Sequence, residues 1–168
     1  MIEFRNKKLK KFLFPEFNKK SLVRIIVVSV TAFILFKYIL MPFRISGFSM
    51  VPTYNNGGVN FAFTLKYLFT PPKRFDVVTV RFSGNHVMLL KRIVALEGET
   101  VEFKKGFLFI NSQKIDEPYI SKRQPWDLAP RTVKKDHVYV VGDNRNVPMQ
   151  THHFGQTPTN RISGVPLW

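Results

Sequence analysis

FDVVTVRFSGNHVMLLKRIVALEGE, residues 75–99, decides the fold. Two runs rich in β-branched residues, 75–82 and 86–96, are separated by Ser83-Gly84-Asn85 and stopped by Glu97-Gly98-Glu99. Runs of this length and composition between Gly and Asn punctuation read as strands. The second run carries two adjacent cations, Lys91 and Arg92. Side chains alternate along a strand, so Lys91 shares a face with Leu89 and Ile93, and Arg92 shares the other with Leu90 and Val94. One of the two charges therefore faces apolar surroundings. Burial disfavours an ammonium and lowers its pKa, which makes a neutral amine available near pH 7. An edge-strand lysine facing solvent fits the same pattern.

Working outward, VNFAF (59–63), TVEFK (100–104), FLFIN (107–111) and HVYVV (137–141) carry the same strand signature. Lys104-Lys105-Gly106 reads as the tip of a hairpin joining two of them. The stretch from Asp116 to Arg131 is Pro-rich and polar and is expected to be irregular. The expectation is a mainly β protein: a small, antiparallel, barrel-like domain over residues 43–168, behind one N-terminal helix.

That helix is read from residues 22–42, LVRIIVVSVTAFILFKYILMP, about the length that spans a bilayer. Arg24 and Lys37 sit near its ends, where long side chains reach the headgroups. Residues 1–21 form a basic arm, and the positive-inside rule puts it in the cytoplasm and the domain on the far side. MPFRISGF offers no convincing cleavage site, so the span is read as an uncleaved, single-pass anchor in the cytoplasmic (inner) membrane. The formal net charge is +15, and residues 1–24 hold +6 of it beside the apolar run. That placement favours anionic lipid over nucleic acid, for which no aromatic-basic stacking motif is present. The chain has no cysteine, which excludes disulfides and thiol chemistry. Its four histidines lack metal-ligand spacing, so no metal or organic cofactor is expected.

Just after the span comes ISGFSMVPTY, residues 45–54, where Ser49 lies between greasy neighbours and Pro52 prevents a helix. A serine hydroxyl needs a base to become a nucleophile. His86, His137, His152, His153 and Lys91 are the candidates, because such groups meet in space rather than in sequence.

Three stretches taken together carry a family resemblance. SGFSMVPT resembles the nucleophile box of type I signal peptidases, KRIVALEGE resembles their lysine box, and VVGDNRN resembles their third box. The boxes stand in family order behind an N-terminal anchor. The resemblance implies a Ser-Lys endopeptidase with Ser49 as nucleophile and Lys91 as general base. It implies a substrate pocket including Ile45, Gly47, Met50, Leu89 and Leu90. It also implies bracing by Pro52, Arg92, Gly142, Asp143, Asn144 and Arg145. The implied partners are signal-peptide-bearing precursors, the bilayer and the export translocon, with the oligomeric state left open.

After GDNR the chain departs from the family pattern. Pro148 stands where a serine is common, Gln150 replaces an aspartate and His152 an arginine. These departures leave Arg92 leaning on Asp143 alone, with His152 read as a solvent-exposed side chain. They keep two alternatives open: a dedicated processing peptidase of a conjugation-type system, and a catalytically weakened, anchored peptide-binding module. A self-cleaving repressor would need a DNA-binding domain that the first forty residues do not supply.

Overall fold

The computed structural model describes residues 18–83 and 87–168. The arm up to residue 17 and the candidate base His86 lie outside the described residues. The chain divides into two compact units, residues 1–38 and 39–168.

The described part of the first unit is the helix α1, Lys19–Ile34, continued by one π turn, Leu35–Ile39, whose last residue opens the second unit. Asn18 caps it by accepting from the Ser21 N–H at 2.8 Å. Together they give 21 residues with no buried position, whose apolar 18-residue stretch has mean hydropathy 2.1, long and apolar enough to cross a membrane. Residues 40–42, expected inside the span, instead begin a strand. Pro42 cannot sit inside a helix, and it pairs opposite Phe61.

The second unit is built from eleven strands: β1 (Leu40–Arg44), β2 (Val59–Phe63), β3 (Val77–Ser83), β4 (Val87–Ala95), β5 (Thr100–Lys104), β6 (Phe107–Ile110), β7 (Gln113–Lys114), β8 (Leu128–Thr132), β9 (His137–Val141), β10 (Gly155–Pro158) and β11 (Ile162–Pro166). They form a seven-stranded sheet, ordered β1-β2-β11-β3-β4-β9-β10, and a four-stranded sheet, ordered β7-β6-β5-β8. The described pairings are antiparallel. The expected β-rich, antiparallel class holds, but the strands do not close into a barrel. Three of the four free edges, β1, β8 and β10, contain proline, which withholds the N–H that a further strand would need.

The β5–β6 hairpin turns at Lys105 and Gly106, both at positive φ (50° and 82°), as the sequence suggests. One core cluster joins the sheets through Val94, Ala95, Tyr139 and Val141 on one side and Val101, Phe103, Leu108 and Ile110 on the other. A smaller cluster, Ile45, Met50 and Leu90, underlies the loop that carries Ser49. The site thus rests on packed strands rather than on the loop alone.

Candidate active site

Both cations of β4 are buried, Lys91 at 2% exposure and Arg92 at 8%, and they are handled differently. Arg92 faces a built receptor. Its Nε and Nη2 donate to the Asp143 carboxylate at 2.9 and 2.6 Å, and Nη1 donates to the Phe75 carbonyl at 2.9 Å. The Tyr119 ring covers its guanidinium at 3.9 Å. Arg92 therefore leans on three partners, not on Asp143 alone.

Lys91, on the opposite face of the same strand, takes no part in the ion pairs found among the described residues. Burial pushes its pKa down from 10.5 to about 8, against a weaker upward pull from the Asp143 charge. Lys91 and Ser49 line the same cleft of about 320 Å³, with Leu89, Asn144 and His152. The edge-strand alternative for Lys91 is overturned, because β4 lies between β3 and β9.

Ser49 is held by its main chain. Its carbonyl accepts from the Asn144 N–H at 2.9 Å, and the Asn144 side chain donates to the Phe48 carbonyl at 3.0 Å. Its own N–H donates to no backbone carbonyl among the described residues. Gly142 lies so close that an added Cβ would stand 2.4 Å from the Ser49 carbonyl oxygen. Gly142→Ala is therefore expected to push the serine segment away. The expected loss of activity is roughly 100-fold, the scale of an ångström-sized misplacement, with a smaller change in melting temperature. A kinetic assay alongside a thermal melt checks this.

The five expected pocket residues converge. Ile45, Gly47, Met50, Leu89 and Leu90 line one small recess of about 30 Å³ together with Ser49. Thr79 and Met88 also line it. Nothing in the sequence singled these two out, although β3–β4 pairing sets them opposite Leu90 and Arg81.

Of the expected bracing residues, Asp143 and Asn144 bond to the segment around Ser49, while Arg92 and Arg145 bond to Asp143 and Gly142 in turn. Pro52 itself is exposed, and the brace nearest to it is Thr53, whose hydroxyl donates to Asp143 at 2.5 Å. Arg145 is 1% exposed. Its Nε donates to the Gly142 carbonyl at 2.9 Å, and its Nη2 donates to the Glu117 carboxylate at 2.7 Å.

His152 is not solvent-exposed as expected. Its ring meets Trp126 edge-on at 4.7 Å, and both ring nitrogens are buried without a partner of normal hydrogen-bond geometry. Burial, and then the Lys91 charge, push its pKa down to about 4, so it stays neutral across the working range. His137 is remote from the cleft in its contacts, its Nδ1 facing the Lys135 carbonyl at 2.7 Å.

A serine and a buried lysine thus line one cleft on an antiparallel β scaffold, a pairing with the chemistry a hydrolase can use. The comparisons with known proteins agree in class. Residues 18–167 match the family model described as signal peptidase, peptidase S26, so the chain belongs to that family of peptidases. It is 34% identical over 149 residues to thylakoidal processing peptidase 1 of Arabidopsis thaliana, covering 81% of this chain and 44% of that longer one. It is 32% identical over 165 residues to signal peptidase I S of Bacillus subtilis (strain 168), covering 88% of each. It is 30% identical over 153 residues to signal peptidase I of Bacillus licheniformis, covering 84% and 82%. A crystal structure of a signal peptidase I from Enterococcus faecalis V583 aligns with TM-score 0.47 and 28% identity, over 57% of this chain and 97% of that one.

Proposed function

We propose that the protein is a membrane-anchored endopeptidase that removes signal peptides from exported precursors, with Ser49 as nucleophile and Lys91 as general base. The carrying observation is the burial of Lys91 in the cleft that Ser49 lines. The neutral amine takes the Ser49 hydroxyl proton as the oxygen attacks the scissile carbonyl. The resulting oxyanion is met by the Ser49 N–H, a donor whose effect grows as charge develops. Lys91 then returns the proton to the leaving amine, and water repeats the cycle on the acyl-enzyme.

The recess beside Ser49 is small, about 30 Å³, so it admits a small side chain, such as alanine, before the cut. In this reading α1 spans the bilayer of the cytoplasmic (inner) membrane once. Residues 1–21 stay in the cytoplasm, the peptidase domain lies on the outer face, and the export translocon delivers the substrates.

The test is cleavage of a precursor in liposomes, where Ser49→Ala is expected to reduce processing to background. The pH dependence supplies a second check. The active form of Lys91 is the neutral one, so kcat/KM should rise about tenfold per unit below pH 8 and level off above it. His152 titrates near 4 and adds no limb between pH 5 and 8. A limb centred between 6 and 7 would point to a histidine base and overturn the lysine assignment.

A further inference from the structure

Three hollows lie in order along the site. The apolar recess is lined by Ser49 but not by Lys91. The middle cleft is lined by both. A third cleft, of about 250 Å³, is lined by Lys91 but not by Ser49. Leu89 lines all three, so they are neighbours along one surface. A base that takes the serine proton and hands it to the departing nitrogen must stand on the leaving-group side of the serine. The third cleft therefore continues the site on the side where the released polypeptide begins.

The chemistry of that cleft differs from that of the recess. Val80 and Val140 are buried in its wall, and Arg81, Arg161 and His153 stand at its exposed positions. Among the described residues, no Asp or Glu lines it. Arg81 is steadied by donating to the Asn160 carbonyl at 3.2 Å, next to Arg161 in the chain. A segment entering here meets two guanidinium groups, that of Arg81 steadied by its bond, and no carboxylate from the described lining, the arrangement that pairs with carboxylate side chains.

We propose that this cleft binds the first residues of the released polypeptide and favours aspartate or glutamate among them. The proposal rests on the peptidase reading and names a substrate preference that this reading leaves open.

The test uses the full-length protein in zwitterionic detergent and three peptides identical up to the scissile bond. They carry Glu-Glu, Lys-Lys or Ala-Ala at the second and third positions after it. The Glu-Glu peptide is expected to exceed the Lys-Lys peptide in kcat/KM by roughly fivefold, the scale of exposed ion pairs. The gap should shrink in 0.5 M salt as screening rises. In the double variant Arg81→Glu/Arg161→Glu the order should reverse, while the Ala-Ala peptide reports that fold and chemistry are kept. Lys122→Glu, which changes the net charge at an exposed position lining neither cleft, should leave the order unchanged.

Equal kcat/KM for the charged peptides overturns the proposal. A preference surviving in the double variant also overturns it, because the protein's overall positive field would then be the cause. Absence of Ser49-dependent cleavage of all three peptides is a different failure: it overturns the peptidase reading, and this inference falls with it.

Discussion

Lys91→Met is expected to abolish cleavage, lowering kcat by roughly 10⁴-fold, while leaving the fold as stable as before or more so. The side chain sits at 2% exposure, where methionine matches its length and apolar stem. What the substitution removes is an amine whose charged form burial already disfavours, so stability has little to lose. Activity has much to lose, because Ser49 at its own pKa is a weak nucleophile and the proposed base is gone. Of the two histidines that also line the cleft, His152 has both ring nitrogens buried away from solvent. Lys91→Arg should be equally inactive, since guanidinium does not lose its proton in this range. Ser49→Ala and the double variant should match Lys91→Met rather than multiply with it, as expected of two groups acting as one unit. Steady-state kinetics with a thermal melt on each variant decide the matter. Residual activity in Lys91→Met above that of Ser49→Ala would return the base to the histidines.

Much of this site is visible in the chain before it folds, and the reason is local. Ser49 stands in a segment that proline keeps from helix, and Lys91 interrupts an apolar strand; both are anomalies of pattern at single positions. Strands β2, β5 and β9 carry alternating or β-branched runs without proline, and their bounds follow directly from residues 59–63, 100–104 and 137–141.

The strands that escape notice are β1, β7, β8, β10 and β11, and all but the two-residue β7 contain a proline. In β1, β8 and β10 the proline is tolerated because the strand is an edge and its missing N–H leaves no neighbour unsatisfied. β11 is internal, and there Gly164 hides it. A Cβ at Gly164 would stand 2.6 Å from the Phe63 carbonyl oxygen, so the close approach of β2 requires the residue that weakens the strand signal. His152 is misjudged for a different reason. Its burial depends on Trp126 from the segment expected to be irregular, a contact between residues 26 apart in the chain.

Glu117→Ala is expected to destabilise the peptidase domain by about 3–5 kcal/mol and to lower activity in the protein that remains folded. The same segment from Asp116 onward supplies this residue, which the sequence gives no reason to choose. Glu117 is 1% exposed and receives both terminal nitrogens of Arg145, also 1% exposed, at 3.3 and 2.7 Å. Removing the carboxylate leaves a guanidinium enclosed with no counter-charge in contact, stacked near Phe103 at 5.0 Å and Trp126 at 5.5 Å. That unpaired state is where the cost arises, rather than in the lost attraction alone.

The loss also reaches the site. Arg145 holds the Gly142 carbonyl, Gly142 abuts Ser49, and the adjacent Asp143 and Asn144 hold Arg92, Thr53 and the Ser49 main chain. Among the described residues, a turn released from Glu117 is left with one buried carboxylate in its own ion pairs, Asp143, which Arg92 already occupies.

Tyr119→Phe separates the two contributions. It removes only the phenol's donation to Glu117 at 2.8 Å and leaves the ring over Arg92, so it should cost about 1 kcal/mol. Replacing both members of the pair, Glu117→Leu with Arg145→Met, should recover most of the stability lost in Glu117→Ala, since no charge is then stranded. It should not recover the activity, because the Arg145 bond to Gly142 is gone. Urea unfolding followed by tryptophan fluorescence, with kinetics on the same preparations, tests the whole set. A Glu117→Ala protein as stable as the parent would show that Arg145 finds water or another partner, and the brace would then lie elsewhere in the turn.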